Sequence, residues 1–221
     1  MLRQTFDREL HRLQDEVLVL GSMVEKAIIR SVEALKNRDL GAARQIVADD
    51  LKINRKRFDI EEECIQLVAT QQPMAGDLRI IVSVLHIIVD LERMADHAEG
   101  IAKITLMMGG EPPLKPLIDI PRMADKAVDM LRRSLEAFIN RDAEEARRIC
   151  EEDDLVDGLY DQVYRELLTY MLQDPRNITR ATYLLWVAHN LERIADRATN
   201  ICERAVFLST GKMEELNISK Y

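Results

Sequence analysis

Glycine and proline are scarce in this chain. Its 221 residues hold 8 glycines and 6 prolines, where average usage would give about 15 and 11. These residues punctuate turns, so few connections are expected. Aromatic residues make up only 5% and β-branched clusters are sparse, which disfavours a β-rich fold and favours a few long helices. Long apolar runs are missing as well. Charges interrupt every stretch before it reaches the roughly 18 residues of a membrane span, and the N-terminal MLRQTFDREL lacks the apolar core of a signal peptide. The three cysteines, Cys64, Cys150 and Cys202, form no CxxC; their odd number suggests free thiols in a reducing cytoplasm. Positive charge is in deficit: 31 Lys and Arg against 39 Asp and Glu leave −8. A general nucleic-acid binder needs a basic face, so that class falls away. No GxSxG, P-loop or GxGxxG occurs, and the chain reads as a non-enzyme.

What is present is a duplication. Residues 31–40, SVEALKNRDL, match residues 134–143, SLEAFINRDA, at six of ten positions. Residues 91–101, LERMADHAEGI, match residues 191–201, LERIADRATNI, at seven of eleven. The offsets, 103 and 100, differ by a short insertion near Pro73 of the first copy. So long a period marks a duplicated domain and not a solenoid unit. Each copy shows three helical stretches. The first copy breaks at Asn37-Arg-Asp39, where Asp39 can cap the second helix, and Pro73 opens the third. GGEPPLKPL holds three of the six prolines and reads as the linker. In the second copy Asn140 ends a helix, Asp142-Ala-Glu-Glu145 has capping-box spacing, Asp174-Pro175 opens the last helix and Gly211 ends it. The expected fold is all-α: a tandem duplication of an antiparallel three-helix bundle, six long helices in total. The domains are residues 1–110 and 111–221.

The inward stripes carry acids. At 100° per residue, Leu85, Val89, Glu92 and Asp96 share one face, and Leu185, His189, Glu192 and Asp196 repeat it. The second helix leads from Ala43, Ile46 and Val47 to Asp50 and Asn54; the fifth leads from Ile149 and Cys150 to Asp153 and Asp157. Two facing helices in each copy therefore carry acids four residues apart. Like charges on converging faces are costly unless a cation neutralises them. The candidate metal ligands are Asp50, Asn54, Glu92 and Asp96 in the first copy, and Asp153, Asp157, Glu192 and Asp196 in the second. Oxygen clusters suit magnesium, manganese or calcium, and carboxylates also hold iron. His189 is a possible nitrogen ligand that tilts the second site toward iron, manganese or zinc. A plainer reading stands beside this one. Acids at four-residue spacing are common on solvated faces, and Arg93 and Arg193 could simply pair with Asp96 and Asp196. Recurrence on matching helices of both copies favours metal.

The duplicated plan, QQPMAGDLR at 71–79, DLERMADHAEGIA at 90–102 and NLERIADRATNIC at 190–202 resemble the PhoU family of bacterial phosphate-signalling proteins along essentially the whole chain. The family's repeated E(D)-x-x-x-D metal motifs fall on Asp50 to Asn54, Glu92 to Asp96, Asp153 to Asp157 and Glu192 to Asp196, with Asn54 departing from the carboxylate pattern. The resemblance implies a cytoplasmic negative regulator of phosphate uptake and of the phosphate-starvation response. It would be an adaptor linking the Pst phosphate transporter, through its ATPase PstB, to the sensor kinase PhoR. A homodimer without transmembrane segments and without nucleic acid is expected. The alternatives are a di-metal carboxylate redox protein, which would need Glu-x-x-His pairs absent from these stripes, and a metal-free structural helical protein.

Overall fold

The computed structural model describes residues 2–216, with side chains from Phe6 onward. The first repeat supplies α1 (Leu2–Asn37), α2 (Leu40–Gln71) and α3 (Gly76–Met108). The second supplies α4 (Asp119–Asn140), α5 (Ala143–Glu151), α6 (Asp153–Gln173) and, after a 3-10 turn at Pro175–Asn177, α7 (Ile178–Thr210). Among the described residues there is no strand. The fifth of the six expected helices is thus two, α5 and α6, divided at Glu152. There the Glu152 amide is shared between Arg148 O at 3.3 Å and Ile149 O at 3.1 Å, and its side chain is gripped from α4 by Lys126 and by Arg133, whose Nη1 reaches Glu152 Oε2 at 2.8 Å.

The turn chemistry is nearly symmetric. Arg38 and Arg141, 103 apart, both take left-handed backbone with φ 55 and 54. The amides of Asp39 and Asp142 then donate back to Ala34 O and Ala137 O, each at 2.9 Å. Asp39 caps α2 through the Ala42 amide at 2.9 Å. Asp142 caps α5 through the amides of Glu144 and Glu145 at 3.1 and 3.0 Å. Glu145 does not complete the expected capping box, because its carboxylate is bonded by Arg133 at 2.6 and 2.9 Å. Pro73 does not open α3 either. It sits in a turn between Gln72 and Ala75, both at positive φ, and α3 starts at Gly76. Gly211 ends α7 as expected, at φ 75 with its amide on Phe207 O at 2.8 Å.

One apolar core runs through both repeats, including Leu13, Leu20 and Ile28 of α1, Ile81, Ile88 and Leu91 of α3, Phe138 of α4 and Leu191 and Ile194 of α7. α3 packs on α7 and α1 on α4, so each inner helix meets its own repeat counterpart, while α2 and α5–α6 flank this layer. The polar contacts obey the same symmetry. His97 of α3 meets Asn190 of α7 at 2.9 Å, and the equivalent pair, Arg197 of α7 with Asp90 of α3, meets at 3.3 Å. Asn200 adds a bond to Asp90 at 3.0 Å. Residue numbers fall on one helix as they rise on the other, so α3 and α7 run antiparallel about a pseudo-two-fold axis. The linker is tied to the second bundle: Lys115 is buried and ion-paired with Glu166 of α6, and Arg180 donates to Pro112 O.

Candidate functional site

In the first bundle, Asp50 and Asn54 project from α2 toward α3. Asn54 Nδ2 donates to Asp50 Oδ2 at 2.8 Å. Burial raises the Asp50 pKa above its ordinary value, and the charges of Glu99, Asp96 and Glu92 on α3 raise it further. The acids of α3 thus lie near enough to Asp50 to act on it through their charge. Asp50 Oδ1 and Asn54 Oδ1 are both buried and lack a hydrogen-bond partner. Asp96 takes Arg93 at 3.1 Å, and Glu92 lies 3.6 Å from the same guanidinium. A small cavity of about 180 Å³ between α1, α2 and α3 is lined by Asp50 and Glu99, with Lys26 and Arg30 of α1 across it. The adjacent Asp49 is a different case: Lys52 and Arg30 bind it and hold its carboxyl down at about 2, so it is already neutralised.

In the second bundle, Glu192 of α7 is the focus. Burial pushes its pKa up to about 7, helped by Asp196, Asp157 and Asp153 against the opposing Arg193. Its Oε2 is buried without a hydrogen-bond partner, and His189 Nδ1 stands 3.3 Å away. Asp153 is almost wholly buried, and Asp196 is bonded by Arg193. The Tyr160 ring packs near His189, centroids 6.1 Å apart. An open groove of about 1120 Å³ runs beside these groups, lined by Asp157, Glu192, Asp196 and Glu203 together with Arg193 and Arg197.

These faces carry the donor chemistry of a hard-cation site: carboxylates and an amide oxygen, with orphaned buried acceptors in both bundles. Among the described residues, however, no three His, Cys, Asp or Glu side chains gather closely enough to hold an ion. Arg93 and Arg193 take up Asp96 and Asp196, as the plainer reading of the sequence had it. Glu99 is the residue that sequence reasoning missed. It sits three residues after Asp96 on the same stripe, and its pairing with Lys103 at 2.6 Å made it look like an ordinary surface acid. With it, the acids of α3 that act on Asp50 are Glu99, Asp96 and Glu92. Cys150 and Cys202 are buried packing residues, with Cys150 Sγ 3.9 Å from Thr199 O.

The sequence model of the PhoU domain matches this chain twice, over residues 17–105 and 120–205. The chain belongs to the PhoU family. A PhoU homolog from Aquifex aeolicus, called a phosphate-specific transport system accessory protein, is 42% identical over 93% of both chains. Another from Clostridium acetobutylicum is 40% identical over 98% of this chain and 100% of its own. The crystal structure of PhoU from Pseudomonas aeruginosa superimposes with a TM-score of 0.88 at 35% identity, over 94% of this chain and all of that one. The PhoU regulatory protein of the Streptococcus pneumoniae phosphate transport system gives 0.89 at 34%, over 96% and 100%. The duplicated all-α PhoU plan is therefore a property of this chain. Both domain matches stop short of the linker, which lies between them.

Proposed function

We propose that this chain is an accessory protein of a phosphate transport system, and that it restrains uptake and the starvation response as an adaptor. The observation that carries the reading is the similarity along nearly the whole chain to proteins named as accessory to phosphate-specific transport. In this role it works in the cytoplasm by surface complementarity, touching the transporter ATPase PstB on one side and the sensor kinase PhoR on the other. No helix of the described residues is long and apolar enough to cross a membrane, which agrees with a peripheral adaptor. It performs no reaction of its own. Pull-down of the ATPase and of the kinase domain by the full chain tests this; recovery of neither, with or without added metal, overturns it.

The acidic faces are proposed as cation sites of structural or regulatory use. Asp50, Asn54, Glu92, Asp96 and Glu99 would hold an ion in the first bundle, and Asp153, Asp157, Glu192 and Asp196, with His189, in the second. The ion, whether iron, manganese, magnesium or zinc, would supply positive charge to carboxylates that otherwise repel one another. It would thereby fasten α2 to α3 and α6 to α7. Metal content of protein purified without chelator is expected to fall in Glu92→Ala/Asp96→Ala and in Glu192→Ala/Asp196→Ala. Equally little metal in the wild type and both variants would remove the sites from the proposal and leave the adaptor role standing.

A further inference from the structure

We infer that the cavity between α1, α2 and α3 binds a small aliphatic amino acid, whose ammonium meets Asp50 and whose carboxylate meets Lys26. Both residues line the cavity, one from α2 and one from α1. Among the described residues Lys26 has no ion pair within the chain. Asp50 accepts from Asn54 at Oδ2, while its Oδ1 is buried without a hydrogen-bond partner. Two opposite charges thus share one hollow of about 180 Å³ and do not reach each other. A buried acceptor without a partner calls for a physical reason, and a zwitterion bridging the two charges supplies it.

The other charges of the lining are already occupied. Arg30 and Lys52 pair with Asp49 at 3.0 and 2.7 Å, and Glu99 pairs with Lys103 at 2.6 Å. A bare cation would face Lys26, and a bare anion would face Asp50 and Glu99, so neither sign alone suits both walls. The rest of the lining is apolar: Met23, Ala27, Ile46, Ile53 and Ala95. Apolar walls with a few placed polar groups are the usual make-up of a small-molecule site. At roughly 30 Å³ per water the hollow holds on the order of six waters, the bulk of a valine or a leucine and too little for a nucleotide.

The duplication shows that the bundle itself does not require the hollow. At an offset of 103, Lys26, Ala27 and Lys52 become Asp129, Met130 and Leu155. Met130 is wholly buried where Ala27 leaves space, and Asp129 takes Arg133 at 3.1 Å. The second copy therefore fills the space and lacks the free cation. Asn54, Glu92 and Asp96, which would share an ion with Asp50, do not line the hollow. The inference thus rests on neither the ion sites nor the adaptor role.

Isothermal titration calorimetry of the full chain, kept in chelator, tests it. L-valine and L-leucine are compared with isobutylamine, which is valine without its carboxylate, and with 3-methylbutanoate, which is valine without its ammonium. At least one of the two amino acids is expected to bind at least about tenfold more tightly than either fragment. Ala27→Met, which copies the residue at the equivalent α4 position, should fill the hollow and weaken that binding at least about tenfold. Lys26→Gln should bring the amino acid down to the level of isobutylamine. Lys26 is exposed, so this variant keeps the test open should Ala27→Met disturb folding, which circular dichroism would reveal. Binding of neither amino acid, or isobutylamine binding as tightly as both, overturns the inference. Amino-acid binding unchanged in a folded Ala27→Met or in Lys26→Gln overturns it as well.

Discussion

Glu192 is held protonated toward neutral pH by burial and by the aspartates around it. Its ordinary value is 4.5 and its value in the fold is about 7. Between the two, the native state keeps a proton that the unfolded chain has released. Its contribution is therefore most favourable below pH 4.5 and is lost as pH rises through 7. His97 acts in the opposite sense. Burial between α3 and α7 lowers its pKa below 6.5, so it costs stability as pH falls. The comparison that isolates Glu192 is with its own variant: in chelator-treated protein, wild type should lose melting temperature relative to Glu192→Gln as pH rises from 4.5 to 7. Adding a divalent cation should recover much of that loss. Parallel melting profiles would show that Glu192 is not titrating in this window. At this scale the acidic stripes were legible, because acids at four-residue spacing fall on one helical face whatever surrounds them. Glu99 escaped because it lies three residues on, and its neutralising Lys103 is the sort of neighbour any surface acid has.

The long helices followed from sequence periodicity because their ends are marked locally. Asp39, Asp142 and Gly211 act through bonds to their own neighbours. Removing one such cap, by Asp142→Ala, should cost about 1 kcal/mol and lower the melting temperature by a few degrees in calorimetry. The features that escaped are set by distant partners. At the division of α5 from α6, Arg133 and Lys126 reach Glu152 from another helix. The same Arg133 draws Glu145 away from the cap it was spaced to complete. Arg133→Ala should therefore destabilise more than an exposed ion pair would, by on the order of 2 kcal/mol in denaturant titration, since it leaves Glu145 and Glu152 without their shared cation. A cost no greater than that of losing a solvent-exposed pair would show that Arg133 does not hold this corner together.

At the scale of the molecule the two repeats are not independent bodies. Their core is continuous and their inner helices meet at equivalent positions. They approach tightly at Gly21 of α1, where a Cβ would stand 2.3 Å from Leu135 Cδ1 of α4. Gly21→Val should push the repeats apart there and cost about 1–3 kcal/mol. Both halves should still unfold in a single transition, because neither keeps its core without the other. Two separate transitions in calorimetry would contradict that coupling. The duplication could be read from the sequence; the pairing of like with like could not, because the residues that make it, such as Asp90, His97, Asn190 and Arg197, look like ordinary helix-surface groups until the two helices are brought together.

That pairing also bears on the order in which the protein can be made. α7 is the last helix among the described residues, yet it packs on α3, α4, α5 and α6. As the polypeptide leaves the ribosome, the first bundle can assemble early, but the face of α3 that α7 covers stays bare until α7 itself has emerged. Closure of the core thus waits for α7, and loss of that helix would leave both halves with uncovered apolar surface.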